Sequence, residues 1–373
     1  MRLTPDPLVE RLGRTTRARL AAVGRTRGPG GNADSALYAA ARDGLRDMGA
    51  YTFEAPVTSG GLDLGLVAGS VIARELGRHA LHEVYGGPAL VTDVLRDQDA
   101  YGDLAEALAR GDVPVALGGL DALCGLDGPP AGAPQATRRC TDAWELTGQI
   151  TLGRMPDDAA RCCVAVTTDA GVLLVLLGPD IWRKRCAAQS PGRPAVLGLD
   201  GLVVADGDVV GRLSGTALPG DDLLARARVR QAAHLLGLAQ GACDLAAGHA
   251  RSRQQFGRPL MEFQAVGFTL ARGAVDLRAV RVAVERAAWL ADTGGSGGAL
   301  AQAAAEALAQ AAETALRVIR DAMQIHGARG MTRAAAVHRY YELARLEVPR
   351  LGPAALLWRE AGAHRLNTTA RAA

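Results

Sequence analysis

The spacing of apolar residues changes character twice along the chain, and those two changes limit the fold more than any other feature. Residues 35–49 (SALYAAARDGLRDMG) and 68–81 (AGSVIARELGRHAL) set apolar positions three and four apart, the repeat of an amphipathic helix. Between about 113 and 215 the texture becomes short apolar runs, AWELTGQITL, CCVAVTT, GVLLVLL and GLVVADGDVVG, divided by Gly, Asp and Pro. These predict strands. The stretch GLDGPPAGAPQ is too rich in Gly and Pro for a central strand. From Asp221 the helical repeat returns and holds almost to the end.

This order predicts an α+β chain in three parts: an N-terminal helical domain over 1–112, a small central β-domain over 113–216, and a C-terminal domain of the four-helix-bundle type over 217–373. In the last part Asp221 reads as the N-cap of a helix that runs to about Ser252. A second helix follows Pro259, which suits an early helical position, and ends near TGGSGG at 293–298. A third runs from Ala299 to about His326, a shorter one includes VHRYYELARL, and another begins after Pro353.

Composition excludes several classes of function. Hydrophobic residues make up 49% of the 373, a globular proportion rather than a disordered one. Aromatic residues are only 4%, too few for base-stacking platforms, and Lys184 is the single lysine among 42 basic residues. Arginine abundance here therefore reflects coding bias and gives no nucleic-acid signal. The six cysteines (124, 140, 162, 163, 186 and 243) form no C-x-x-C pair and read as free thiols of a cytoplasmic protein. The seven histidines have no metal spacing, so no metal is expected. The N-terminal residues lack the apolar stretch of a signal peptide, and no apolar run approaches the roughly 20 residues that span a bilayer.

One interruption of the helical texture is chemically specific. Residues 253–266 read RQQFGRPLMEFQAV, placing a guanidinium, side-chain amides, an aromatic ring and a glycine between two helices. This resembles the R-x-x-F-G break of the acyl-CoA dehydrogenase family. A second stretch, QIHGARGMTRAAAVHRYYELARL at 324–346, is similar to that family's Q-I-x-G-G-x-G segment, with Ala328 in place of its second glycine. A third, LGLVAGSVIARELGRHAL, resembles the family's N-terminal helix ending in E-E-L-G-R. The resemblance covers nearly the whole chain.

The resemblance implies FAD as cofactor and an acyl thioester, of CoA or a carrier protein, as substrate. It assigns Arg253 to the FAD pyrophosphate, Gln255 and Phe256 to the dinucleotide, Gly257 to the sharp backbone turn, and Gln324, Gly327 and Ala328 to the second contact segment. A paired guanidinium donor suits a doubly charged pyrophosphate. It also implies an oligomer in which the cofactor lies across a protomer boundary, with an electron-transfer flavoprotein as a possible acceptor.

The chain departs from the family where the proton is taken. The family's usual base is the Glu of an E-G-T turn, and counting from YYELAR places that turn on Leu351, Gly352 and Pro353. Leucine accepts no proton. The alternative base position, on the first long helix of the C-terminal part, falls near Ala227. Glu347 is the nearest substitute by sequence, and its ordinary reading is a solvated helix-end charge. The β-domain signatures that wrap the flavin are also altered, with Leu152 and Arg154 at the usual aromatic and hydroxyl positions and Pro353 and Ala355 beyond the lost Glu.

Three functions follow. The chain is the base-lacking subunit of a heteromer, lending half an FAD site to a related subunit. Or it is a self-sufficient flavoenzyme with a different base or an oxygenating chemistry. Or it is a scaffold, a reading the retained Arg253, Phe256 and Gln324 oppose. His326 reads as a packed or helix-end histidine, and Tyr340 and Tyr341 as helix-packing residues.

Overall fold

The computed structural model describes residues 7–25, 33–96, 98–120, 132–152, 161–186, 195–214, 219–295 and 298–372. Five helices come first: α1 (Pro7–Arg25), α2 (Ala33–Asp47), α3 (Gly65–Arg78), α4 (Gly86–Leu95) and α5 (Gly102–Ala109). Strands β1 to β9 and one short helix, α6 (Pro179–Arg185), follow between Val115 and Ser214. The last part holds α7 (Pro219–Ser252), a two-stranded hairpin of β10 (Gln254–Gln255) and β11 (Arg258–Pro259), α8 (Gln264–Asp292), α9 (Ala299–His326), α10 (Ala336–Glu347) and α11 (Ala354–Ala372). Among the described residues no helix is long and apolar enough to cross a membrane.

The 34-residue α7 is the axis of the molecule. Val229, Ala232, Ala233, Leu235, Leu236, Leu238, Ala239 and Ala242 are all buried, so the helix is covered on every side along this stretch. Helix α3 crosses it with the two backbones nearly touching. A Cβ on Gly77 would lie 2.0 Å from the His234 carbonyl oxygen, and one on Gly237 would lie 1.9 Å from that of Arg74. Only glycine permits this crossing. One hydrophobic core therefore runs from Leu66 in α3 to Ala361 in α11 and also takes in Val115, Cys163 and Leu174 from the sheet.

With β3 over Ala143–Thr147, β4 over Gln149–Leu152, β7 over Ala195–Gly198, β8 over Leu202–Ala205 and β9 over Val209–Ser214, and the others given below, the sheet has the order β7-β4-β1-β5-β2-β3-β8, with β6 and β9 added beyond β5. β5 (Arg161–Thr168) is its hub. One edge pairs in parallel with β1 (Val115–Gly118) and then, at Thr167, with β2 (Gln135–Cys140), while the other pairs with β6 (Gly171–Leu177). Alternation along β5 sends Cys162 and Cys163 into two different cores. Burial holds both thiols protonated, Cys163 being pushed up to about 12.

The expected α+β class and the helix limits after Ala299 agree with the structure. Two boundaries differ. Helix α7 begins at Pro219, so Asp221 lies inside it. Pro259 pairs with Gln254 in the hairpin, and α8 starts only at Gln264. Strands β1, β2 and β7 (Ala195–Gly198) carry too few apolar residues, or too short a run, to stand out in the sequence. Of GLDGPPAGAPQ, residues 125–131 lie outside the described residues, as do Cys124, Arg154 and the 216/217 boundary.

Candidate functional site

The hairpin that joins α7 to α8 is tight. Gln255 pairs with Arg258, so only Phe256 and Gly257 form the turn, at φ 51° and 79°. Both values are left-handed, as a two-residue turn of type I′ requires. Glycine accepts this freely. A phenylalanine there is strained, and its ring is 92% exposed. Within the hairpin the ring has one aromatic neighbour, Phe263, edge-on at 6.3 Å, and Arg258 lies over the Phe263 face at 4.2 Å. Arg253, Gln255 and Gly257 are exposed as well.

The second segment sits at the C-terminal end of α9. Gln324, Gly327 and Ala328 are exposed. Gly327 takes φ 61° and ψ −148°, a conformation open only to glycine. Gly330 is buried, and a Cβ there would meet His326 Cβ and the Met323 carbonyl oxygen at 2.9 Å. The two segments are held at the same end of the bundle by His249 and His326, whose rings stack at 4.5 Å. His326 also bonds the Ala322 carbonyl oxygen through Nδ1 at 2.8 Å, as a helix-end residue does. Burial lowers the His249 pKa, and the charges of His326, Arg329 and Arg253 lower it further. Neither Arg253 nor Arg329 has a carboxylate partner among the described residues. The arrangement is a pair of exposed guanidinium groups, Arg253 and Arg329, beside an exposed ring, a chemistry that can accept an anion.

The two positions that the resemblance matches to the family's base are buried. Leu351 is 9% exposed at φ 63°, and its carbonyl oxygen accepts a bond from Arg228 Nε at 3.2 Å. Arg228 in turn donates to Glu360 at 2.6 Å, with both side chains buried. Ala227, the alternative base position, adjoins Arg228 on α7 and is also buried. Glu347 is not a solvated helix-end charge: it is 4% exposed, bonded to Arg350 at 2.7 Å and to Gln231 Nε2 at 3.2 Å. Burial would raise its pKa, but Arg350 and His234 hold it at about 2. So low a value suits a fixed counter-ion rather than a base that works near neutrality.

Flanking Arg228 on α7, on the helix's other side, lies a buried charge cluster that the sequence did not reveal. Arg230 bonds Glu54 at 3.0 and 2.6 Å and Asp93 at 2.6 Å, while Arg226 reaches Asp93 at 3.0 Å and Glu54 at 3.3 Å. Tyr85 adds its hydroxyl to Glu54 at 2.9 Å. Burial pushes the Asp93 carboxyl up, and the two guanidinium groups pull it below the usual range. The available signal was ARARVR at 225–230, arginines on alternate positions inside an apolar helix.

Leu152 is fully buried on β4 (Gln149–Leu152), and its Cδ2 fills the space over Gly118, where a Cβ would lie 2.3 Å away. Pro353 and Ala355 are exposed at the start of α11. Arg253, Gln324 and the Gly327 backbone are exposed and can donate to the anionic end of a dinucleotide.

Two helical parts packed directly on each other, with a β-sheet inserted between them in sequence and a tight hairpin after the longest helix, have the build of an acyl-CoA dehydrogenase-type oxidoreductase. Comparison with known proteins agrees. Residues 216–364 match the family description "Acyl-CoA dehydrogenase, C-terminal domain". The chain is 30% identical over 327 residues to acyl-CoA dehydrogenase FadE27 of Mycobacterium tuberculosis, covering 83% of each chain. It is 42% identical over 130 residues to 3-sulfinopropanoyl-CoA desulfinase of Paraburkholderia xenovorans, covering 35% of this chain and only 32% of that relative's length. Among solved structures it resembles a variant of the Tcur3481-Tcur3483 steroid ACAD, with a TM-score of 0.78 and 25% identity, covering 97% of this chain and 98% of the other. The chain belongs to the acyl-CoA dehydrogenase family, FAD-dependent oxidoreductases acting on the CH–CH bond of acyl-CoA.

Proposed function

We propose that this chain is the base-lacking subunit of a heteromeric acyl-CoA dehydrogenase, acting in the α,β-desaturation of an acyl thioester of CoA or a carrier protein. A related subunit supplies the base and the flavin-facing wall. This chain supplies the edge that holds the cofactor's pyrophosphate and adenosine. In this reading it divides into helical, β and helical parts at 112/113 and 216/217. The chemistry FAD supplies when bound is acceptance of a hydride from the β-carbon of the thioester; an electron-transfer flavoprotein is the acceptor that fits.

The observation that carries the reading is a contrast of direction. Every residue matched to the cofactor's anionic end faces away from the protomer, Phe256 at 92% exposure. Leu351, at the base position, faces inward, beside the Arg228–Glu360 pair. Arg253 would donate to pyrophosphate oxygens, Phe256 would cover apolar cofactor surface, and Gln324 with the Gly327 backbone would complete the grip. The joined names of the Tcur3481-Tcur3483 steroid ACAD support an assembly of unlike chains.

The test is an absorbance spectrum. Purified alone, the chain is expected to be colourless or faintly yellow. In a complex that does hold flavin, Arg253→Ala should lower flavin retention by about tenfold, the loss of one charge-assisted bond pair. A stoichiometric yellow colour from the isolated chain, bleached anaerobically by an acyl thioester, overturns the reading in favour of a self-sufficient enzyme.

A further inference from the structure

A cavity of about 840 Å³ opens between α1, α3, α7 and α8 and shares no residue with the site described above. Its volume is that of a small-molecule site. On α7 the lining residues Ala233 and Leu236 stand about 120° and 180° around the helix from Ala227, so the cavity opens on the far side of α7 from that buried base position. Part of the wall is apolar. Val71, Leu236 and Val284 are buried there, and Val67 and Trp289 line it too and are more exposed.

The rest of the wall carries four guanidinium groups, those of Arg14, Arg17, Arg74 and Arg281. Three carboxylates answer them among the described residues. Glu10 lies 3.8 Å from Arg14, Glu285 accepts from Arg281 at 2.7 Å, and the buried Glu75 is held by Arg17 at 2.9 and 3.0 Å. Arg74 shares Glu75 only at 3.4 and 3.3 Å, although its side chain is just 14% exposed. Burial lowers the Arg74 pKa despite Glu75, and the charge of Arg281 lowers it further, as for a cation whose lost hydration is not made up. The Arg74 guanidinium reaches α1, 3.5 Å from where a Cβ on Gly13 would lie, and Val71 Cγ1 is 3.4 Å from the same point. The under-compensated charge and the apolar wall therefore meet at one place.

We infer that this cavity binds a monocarboxylate with an apolar tail, its carboxylate against Arg74 and its tail along Val71 and Leu236. The surplus of one guanidinium over the carboxylates selects a single negative charge, and the planar fork of Arg74 suits a carboxylate. A wholly apolar ligand would leave Arg74 desolvated without an answering charge, and a small anion would leave the apolar wall wet. The site is independent of the heteromer reading, and its readout involves no flavin.

The probe is decanoate, titrated into the full chain by isothermal calorimetry, with decanol and propionate as the forms that lack the charge or the tail. Decanoate should bind one to one and at least about tenfold tighter than decanol. Propionate should show no saturable binding. Arg74→Gln, which removes the charge and keeps most of the length, should weaken decanoate about tenfold and leave decanol unchanged. Val67→Phe, which places a ring in the cavity, should weaken both. Circular dichroism verifies that each variant folds. Three results overturn the inference: no saturable decanoate binding by the wild type, decanol binding as tightly as decanoate, or a decanoate affinity unchanged in either folded variant, which would put the binding elsewhere on the chain. The decanoate–decanol comparison uses the wild type alone, so it stands even where a variant fails to fold.

Discussion

The hairpin end of the bundle and the interior crossing of α7 with α4 are both rich in arginine, and they use it in opposite ways. At the crossing, Arg226 and Arg230 share Glu54 and Asp93, and nearby Arg228 is matched by Glu360. At the hairpin, Arg253 and Arg329 have no carboxylate partner among the described residues and the ring beside them stands in solvent. The same residue type is a matched counter-ion in one place and an unanswered cation in the other. The number of arginines in a chain says little; whether each has a carboxylate says what it is for.

If this contrast is correct, breaking the interior cluster has the largest effect on stability. Arg230→Ala leaves Glu54 and Asp93 buried with one cation fewer and should cost about 3–5 kcal/mol in chemical denaturation. A cost below about 1 kcal/mol would mean that water reaches the site and the matching is unimportant.

Next in size is a pH effect at Glu347. Its folded pKa, about 2, lies below the ordinary 4.5. The ion pair with Arg350 therefore favours the fold above pH 4.5, and that contribution, on the order of a few kcal/mol, is lost as pH falls from there toward 2. Denaturation midpoints measured across this interval should fall in the wild type and fall less steeply in Glu347→Gln.

The smallest effect runs the other way. Asparagine tolerates the φ of 51° at position 256 better than phenylalanine does. Phe256→Asn should therefore raise stability by up to about 1 kcal/mol while weakening flavin retention in any complex. A variant that lost stability would show that the ring packs within the protomer, and the contrast would fail at its exposed end.

Much of this was legible before any coordinates. The three-part texture gave the α+β class because helical and strand repeats differ in period, and the Arg253–Gly257 and Gln324–Ala328 segments stood out because each interrupts a helix with polar or glycine residues. The structure places both segments at one end of the bundle. What escaped was whatever depends on partners far apart in the chain. Glu347 read as a solvated charge because Gln231 and His234, which face it, are more than a hundred residues away. The Glu54–Arg230 pair spans 176 residues and has no local signature at the Glu54 end. Strand β2, with its sequence QATRRC, owes its conformation to β3 (Ala143–Thr147) beside it rather than to its own composition.

The Asp292 carboxylate, from the last residue of α8, caps the start of α3 across 226 positions of sequence. It leaves no room for a side chain at Gly65, where a Cβ would lie 2.5 Å from the carboxylate. The first third of the polypeptide is thus clasped by a residue made long after it, and the clasp closes only once α8 is in place. A truncated chain ending before α8 would leave α3 without its terminal acceptor, so the protein is poorly suited to being cut into separately folding thirds.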